Sequence, residues 1–136
     1  MPIETLGYDH VDLTVNDLVR SCEFYDRVLH ELGFRRTETW DGGVVYEGAG
    51  GVSLALLQAH EHARGAQFDR YRVGLHHLAF RAKCREDVDT FHRFLLAATV
   101  EVLDPPAEYP QYGAGYYAVF FADPDAIKLE CVHYPR

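Results

Sequence analysis

Two histidines and one glutamate are the residues of this sequence whose types and positions could do chemistry. His10 and His77 each begin a short run of alternating residues, and Glu130 lies in a third such run near the end of the 136-residue chain. Two imidazoles and one carboxylate on one face form a ligand set for a divalent metal ion that leaves coordination positions open. A substrate or dioxygen can then bind the ion directly, and the ion acts on it as a Lewis acid.

The segments that carry the two histidines are copies of each other. Residues 10–29 align without a gap on residues 77–96, and the offset is close to half the chain length. The matched pairs are His10 with His77, Val11 with Leu78, Leu13 with Phe80, Val15 with Ala82, Phe24 with Phe91, Val28 with Leu95, and Leu29 with Leu96. A self-match of this kind indicates a duplicated structural unit, so the two histidines hold equivalent positions in it.

Each copy predicts a strand followed by a helix. Between His10 and Val15 the odd positions are apolar and the even ones polar, which is typical of a half-buried strand. The even positions, His10, Asp12 and Thr14, should therefore face away from the core. Asp17 can cap the helix that follows, and Gly33 can end it.

The two helices are predicted to bury one apolar face each. The second helix should run roughly from Glu86 to Ala97. The residues expected to face inward are Leu18, Cys22, Tyr25, Val28, Leu29 and Leu32 in the first helix, and Val88, Phe91 and Leu95 in the second, with Phe94 as a further candidate.

Short strands are predicted after each helix, which makes each copy a β-α-β-β-β module. The predicted strands are Phe34–Trp40, Val44–Glu47 and Val52–Leu57 in the first copy, and Thr99–Leu103, Tyr116–Phe121 and Ile127–His133 in the second. Residues 41–43, 48–51 and 123–125 carry turn signals. We expect one α+β domain over residues 1–136, with module one at 6–58, a connector at 59–74 and module two at 75–134.

Glu130 is predicted to share a face with the histidines. Its neighbours Leu129 and Cys131 should face the helices, because side chains alternate along a strand. Residues 105–115 are rich in proline, glycine and tyrosine and are predicted to form a long loop, and loops of that length are commonly functional.

Composition excludes several classes of protein. The formal net charge is −8, with 13 Lys and Arg against 21 Asp and Glu, so a nucleic acid is not an expected partner. No stretch reaches the roughly 18 apolar residues of a membrane helix, and the N-terminus does not resemble a signal peptide. We therefore expect a cytoplasmic protein without a membrane partner. Three separated cysteines, Cys22, Cys84 and Cys131, argue against a disulfide framework and a zinc ribbon.

At these residues the sequence resembles the vicinal oxygen chelate superfamily, which includes glyoxalase I, extradiol dioxygenases and the fosfomycin- and bleomycin-resistance proteins. The matching segments are Asp9-His10-Val11, Phe24-Tyr25 with Val28-Leu29 and Leu32-Gly33-Phe34, His76-His77-Leu78-Ala79-Phe80, and Phe121-Ala122-Asp123-Pro124-Asp125-Ala126-Ile127-Lys128-Leu129-Glu130. The resemblance covers nearly the whole chain. In the last segment the family commonly has a glycine at the place of Ala126.

The resemblance implies two βαβββ modules that form a barrel-like cup around one divalent metal ion, Fe, Mn, Ni or Zn. His10, His77 and Glu130 match three of the family's ligand positions, and Glu130 would also be catalytic. The fourth ligand of glyoxalase-like members falls on Ala55, which cannot ligate. A slipped strand register would instead offer Gln58, His60 or Glu47. The three-ligand set is more similar to the extradiol dioxygenases or the fosfomycin-resistance group than to glyoxalase I.

The function implied is a metal-dependent enzyme that chelates an oxygen-bearing small molecule, with dioxygenase, lyase or isomerase chemistry. The alternatives are a resistance protein that binds an antibiotic or metabolite without turnover, and a relic with a vestigial site. Tyr109, Tyr112 and Tyr116 could line a substrate pocket, or they could be ordinary strand aromatics. His76 is predicted to lie on the opposite strand face from His77. By resemblance we expect a homodimer, in some members of which the modules swap between chains.

Overall fold

Each half of the chain folds as a four-stranded sheet with one helix packed on it. The computed structural model describes residues 2–136 and consists of two compact units, one ending at Ala66 and the other spanning Gln67–Arg136. Both units have the element order β-α-β-β-β. The α+β class and the duplicated module are therefore confirmed.

In the first unit, the first and last strands in sequence order lie side by side. Its elements are β1 (His10–Val15), α1 (Leu18–Glu31), β2 (Arg35–Trp40), β3 (Gly43–Glu47) and β4 (Ser53–Gln58). The strand order is β1-β4-β3-β2, with β1 parallel to β4 and the other pairs antiparallel. Along β1, Leu13 and Val15 are buried, whereas His10, Asp12 and Thr14 are exposed, as the alternation predicts.

The second unit repeats this connectivity. Its elements are β5 (Leu78–Arg81), α2 (Arg85–Ala97), β6 (Val102–Glu108), β7 (Tyr117–Ala122) and β8 (Lys128–His133). The strand order is β5-β8-β7-β6, and β5 runs parallel to β8. Each sheet taken by itself is open, with two edge strands, and the cup expected from both modules stays a prediction.

Helix α1 begins where the sequence predicts. The Asp17 carboxylate accepts a hydrogen bond from the backbone N–H of Arg20 at 3.1 Å, which satisfies one of the helix's unpaired donors. Gly33 follows the helix with φ +86°, a conformation that side chains disfavour. The buried residues of α1 are Ser21, Phe24, Tyr25, Val28 and Leu29. The predicted buried face of α1 was therefore wrong in part. Leu18, Cys22 and Leu32 are only half-buried, whereas Ser21 and Phe24 are buried and were not predicted to be.

Helix α2 buries the face that the sequence predicts. Val88, Phe91 and Leu95 are buried, and Phe94 is half-buried with its ring stacked on Phe91 at 5.8 Å. The last matched pair of the repeat differs in burial, because Leu29 is fully buried whereas Leu96 is 58% exposed.

The predicted loop 105–115 was wrong at its start. Strand β6 continues through Pro105 and Pro106, and its register against β7 shifts between Asp104 and Ala107. Because β6 is an edge strand with an irregular ladder here, the missing proline N–H groups remove no obligatory hydrogen bond. The strand also begins at Val102 and not at Thr99, which has φ +58° in the turn after α2.

The turn between β7 and β8 sets the position of Glu130. One oxygen of the buried Asp123 side chain accepts hydrogen bonds from the backbone N–H groups of Asp125 and Ile127, both at 2.8 Å. Ala126 takes the left-handed conformation with φ +66°. These bonds fix how β8 leaves the turn, and Glu130 then pairs with Phe120 of β7.

Among residues 2–136, no helix has both the length and the apolar character that crossing a membrane would require.

Candidate metal centre

Glu130 is a buried carboxylate at the centre of the second sheet. It lies on β8 between Ala79 of β5 and Phe120 of β7, and only 1% of its surface is exposed. Its neighbour Leu129 pairs with Phe121, whose ring contacts Phe91 of α2 at 5.3 Å. Glu130 therefore lies on the sheet face away from the helix, as the alternation predicts.

His77 and Glu130 come together on that face. The His77 Nε2 atom lies 3.0 Å from the Glu130 Oε1 atom, and the His77 side chain is 33% exposed. Two ligands at about 2.1 Å from one ion and at a right angle would be about 3.0 Å apart. The nitrogen and oxygen donors of this pair thus have a separation that fits adjacent ligands of one divalent ion.

The second oxygen of Glu130 has a separate partner. The Tyr116 hydroxyl donates a hydrogen bond to Glu130 Oε2. Burial, and then this hydrogen bond, raise the pKa of Tyr116, so the phenol keeps its proton and acts as the donor. The sequence predicts Tyr116 as a candidate pocket residue but gives no sign of this contact with the carboxylate.

His76 also contacts His77, and its predicted placement was wrong. The two Nδ1 atoms are 2.8 Å apart, and the ring centroids are 5.0 Å apart. Strand β5 begins only at Leu78, so the alternation used to place His76 on the other face does not apply before it. Desolvation, followed by the charge of His77, lowers the pKa of His76 and favours its neutral form. A neutral His76 can form one hydrogen bond with His77 between the two Nδ1 atoms. The Nε2 atom of His77 then remains directed at Glu130.

His10 has the environment of an oriented imidazole in the first unit. Its Nδ1 atom lies 2.7 Å from Asp9 Oδ1, and its side chain is 56% exposed. The hydrogen bond to Asp9, with the charge of Asp12 added, raises the pKa of His10. Because the carboxylate accepts from Nδ1–H, the neutral ring carries its lone pair on Nε2, the usual arrangement in a metal-binding histidine. In the sequence Asp9 stands out only as part of a family motif, and this contact with His10 is not predicted from it.

Strand pairing fixes which residue of the first unit corresponds to Glu130. Ala55 pairs with Asp12 of β1 and Val45 of β3, as Glu130 pairs with Ala79 and Phe120. Asp12 and Ala79 are matched positions of the repeat, so Ala55 occupies the equivalent place.

No slip of β4 brings another ligand there. Glu47 pairs with Ser53. The Gln58 amide is bonded to backbone, accepting from Leu18 N–H at 2.9 Å and donating to Asn16 O at 2.7 Å. His60 lies beyond the end of β4. Within the first unit the register therefore excludes these residues from the position of Ala55.

The three predicted pocket tyrosines form one cluster beside Glu130. The rings of Tyr109 and Tyr112 are stacked with centroids 5.5 Å apart, and Tyr116 lies 5.3 Å from Tyr112. Tyr109 also contacts Phe120, which pairs with Glu130, at 5.5 Å. Burial raises the pKa of Tyr109. The cluster presents aromatic surface next to a carboxylate and an imidazole.

Neither unit by itself completes a three-ligand site. Within each unit, the described residues contain no group of three or more His, Cys, Asp or Glu side chains arranged for a metal ion. The second unit brings His77 and Glu130 together, and His10 belongs to the first unit.

Known proteins are similar to this chain in sequence and in fold. Residues 7–131 match the model of the glyoxalase/bleomycin resistance protein/dioxygenase superfamily. The chain is 37% identical over 123 residues to the uncharacterized protein YqjT of Bacillus subtilis (strain 168), covering 90% of this chain and 95% of that protein.

Solved structures agree with the match. A crystal structure from Bacillus halodurans, named as a candidate glyoxalase, is 35% identical with a TM-score of 0.79, covering 92% of this chain and 93% of that one. A glyoxalase/bleomycin resistance protein/dioxygenase domain from Frankia sp. EAN1pec is 28% identical with a TM-score of 0.81, covering 98% and 95% of the two chains. With its duplicated βαβββ module and its paired His77 and Glu130, the chain belongs to the glyoxalase/bleomycin resistance protein/dioxygenase superfamily.

Proposed function

We propose that this chain is a metal-dependent enzyme that chelates an oxygen-bearing small molecule at one divalent ion. The observation that carries the proposal is the 3.0 Å separation between His77 Nε2 and the buried Glu130 Oε1. A buried carboxylate beside an imidazole is costly unless the charge is balanced. A divalent ion, Fe, Mn, Ni or Zn, would balance it, with His10 as the third ligand.

When bound, such an ion supplies Lewis acidity to an oxygen atom of the substrate. The chain's own residues do the rest. His10 is held through Nδ1 by Asp9, so its Nε2 is available as a ligand. Glu130, the proposed catalytic residue, is held through Oε2 by Tyr116 and would hold the ion through Oε1, the oxygen that faces His77.

The three-ligand set favours chelation of the substrate over glyoxalase I chemistry. Ala55 stands where glyoxalase-like members have a fourth ligand, and the register excludes a replacement from β4. His10, His77 and Glu130 would hold the ion and leave coordination positions open for one or two oxygens of the substrate, which is compatible with dioxygenase, lyase or isomerase chemistry.

The aromatic cluster suggests the shape of the substrate. Tyr109, Tyr112 and Tyr116 gather beside Glu130 and offer ring faces and edges to a planar or apolar molecule. Lys128 adds a positive charge there, with its Nζ atom 4.5 Å from the centre of the Phe120 ring. We therefore assign these three tyrosines to substrate binding. We also expect the chain to act as a homodimer, as its resemblance to the family implies.

A binding protein without turnover is the second candidate. The same stacked tyrosines favour it, because aromatic surface can hold an antibiotic or metabolite without any reaction. This candidate does not need His77 and Glu130 to bind a metal ion.

Metal analysis tests the proposal. Purified protein is stripped with a chelator, reconstituted separately with Fe(II), Mn(II), Ni(II) and Zn(II), and assayed for bound metal beside His77→Ala and Glu130→Ala. His62→Ala, a change at an exposed histidine, is the matched control. One ion per chain in wild type and control, with loss in the two variants, is expected. A wild type that binds none of the four ions would refute the enzyme proposal and leave the binding protein.

Turnover assays then separate the chemistries. Oxygen uptake with a panel of catechols indicates a dioxygenase, and consumption of a hemithioacetal indicates glyoxalase-type isomerisation. Tight binding of an aromatic ligand that is unaffected by metal removal, with no turnover of either panel, would favour the second candidate.

A further inference from the structure

The two carboxylate oxygens of Glu130 contact different partners. Oε1 faces His77 Nε2 at 3.0 Å, and Oε2 accepts the hydrogen bond from the Tyr116 hydroxyl. The carboxylate is 1% exposed, so neither oxygen has bulk water as an alternative partner. Rotating the carboxylate away from this orientation would break both contacts at once.

The Tyr116 ring has several packing contacts besides the carboxylate. Its centroid lies 5.3 Å from that of Tyr112, 5.3 Å from that of Tyr134 and 6.3 Å from that of Tyr109. The ring packs against the buried cluster of Ala118, Phe120 and Val132.

Backbone hydrogen bonds hold the same residue in place. The Tyr116 N–H donates to Gly113 O at 3.2 Å, and the Tyr116 carbonyl accepts from Tyr109 N–H at 2.9 Å. The fold around Tyr116 therefore holds the hydroxyl in place, which is how a supporting residue orients a ligand at low entropic cost.

We propose that Tyr116 is a positioning residue that makes Glu130 a one-oxygen ligand: its hydroxyl occupies Oε2, so that only Oε1 is presented to an ion shared with His77. This inference rests on the proposed metal site. A carboxylate can bind a divalent ion through one oxygen or through two, and the two-oxygen mode uses an additional coordination position. By blocking that mode, Tyr116 keeps a position open for an oxygen of the substrate.

This role differs from that of a pocket wall. A wall residue acts through its ring, which phenylalanine retains, whereas the positioning role depends on the hydroxyl alone. Tyr134 offers the matched comparison, because its ring touches Tyr116 in the same cluster while its hydroxyl does not bond Glu130.

The test compares wild type, Tyr116→Phe and Tyr134→Phe as full-length, metal-free proteins. Each is titrated with Mn(II) to obtain a dissociation constant, and each is saturated with Co(II) to record the visible absorption spectrum, which reports coordination number. Tyr116→Phe should change the Mn(II) dissociation constant by about tenfold or more, because Glu130 loses the hydroxyl that orients it and gains a second oxygen that can ligate. Its Co(II) spectrum should change as Oε2 becomes free to ligate. Tyr134→Phe should match wild type in both measurements.

Thermal unfolding of the metal-free proteins separates positioning from a structural role. Loss of the hydroxyl lowers the unfolding midpoint under either role, but only the positioning role also changes the Mn(II) affinity and the Co(II) spectrum. A folded Tyr116→Phe protein with wild-type affinity and spectrum would overturn the inference and leave the metal site intact. A wild type that binds neither ion would overturn the metal site and the inference together.

Discussion

Ala55 and Glu130 occupy equivalent positions in the two sheets. Each lies on the fourth strand of its unit, between the parallel first strand and the antiparallel third strand, and their pairing partners correspond throughout. One position carries a buried carboxylate and the other a buried methyl group. The duplicated frame thus has different side chains at one equivalent strand position, and only the second unit has a possible metal ligand there.

Restoring a carboxylate at position 55 should change metal binding. In the proposed site we expect Ala55→Glu to bind Zn(II) or Ni(II) at least about tenfold more tightly than wild type, because the glutamate would be a fourth ligand and the second one with a negative charge. The metal-free variant should be destabilised by about 1–3 kcal/mol, since Ala55 is 6% exposed and the new side chain is crowded and desolvated.

Ala55→Leu is the control for that change. It adds similar bulk without a ligand, so it should lose stability and gain no affinity. Isothermal titration calorimetry gives the affinities, and thermal unfolding with and without metal gives the stabilities. Equal affinities for Ala55→Glu and wild type would show that this position does not face the ion.

Two apolar positions of helix α2 should contribute unequally to the stability of the fold. Phe91 is 5% exposed and packs on Phe121, so Phe91→Ala should lower the free energy of unfolding by about 3–5 kcal/mol. Because Leu96 is 58% exposed, Leu96→Ala should lower the free energy of unfolding by no more than about 0.5 kcal/mol. Urea unfolding followed by circular dichroism measures both. A large loss for Leu96→Ala would mean that another surface covers it in solution.

The turn before β8 should accept glycine with a gain in stability. Ala126 has φ +66°, a conformation that costs a residue with a Cβ roughly 1 kcal/mol and costs glycine little. Ala126→Gly should therefore raise the free energy of unfolding by about 0.5–1 kcal/mol. Ala114→Gly is the control, because Ala114 is exposed in a loop and is not among the residues with positive φ. If Ala126→Gly were destabilising to the same degree as the control, strain at this turn would be disproved.

Alkaline pH should destabilise the first unit through Tyr46. Its ring is 1% exposed and its hydroxyl donates to Asp26 Oδ1 at 2.6 Å. Burial, and then this hydrogen bond, raise the pKa of Tyr46 well above its value of about 10 in an unfolded chain. The folded state therefore binds this proton more tightly than the unfolded state does.

The sign of the pH dependence follows from that difference. The stabilisation is fully present below about pH 10, and it is lost progressively as the pH rises from there toward the raised pKa. Tyr46→Phe should show a shallower fall in unfolding free energy above about pH 10, whereas Tyr8→Phe, at a residue that is 92% exposed, should follow wild type. Urea unfolding at several pH values measures the slopes. Parallel slopes for wild type and Tyr46→Phe would contradict the prediction.

Much of the fold could be predicted because its signals are local. The alternation from His10 to Val15 and the cap at Asp17 depend on neighbouring residues, and both are confirmed. The errors came where a distant contact decides. Pro105 and Pro106 forbid a central strand but not an edge strand, and only the strand order shows that β6 is at an edge.

The sequence by itself determined the duplicated module, the face on which Glu130 lies and the absence of a ligand at position 55, because side-chain alternation and a shared repeat frame follow from backbone geometry. Only the tertiary structure decided which atoms meet. That His77 Nε2 faces Glu130 Oε1 while Tyr116 holds Oε2 depends on three strands, the turn at Asp123 and the packing of four tyrosines. Such contacts join residues far apart in the chain, and their distances are fixed by the sheet and not by spacing in the sequence.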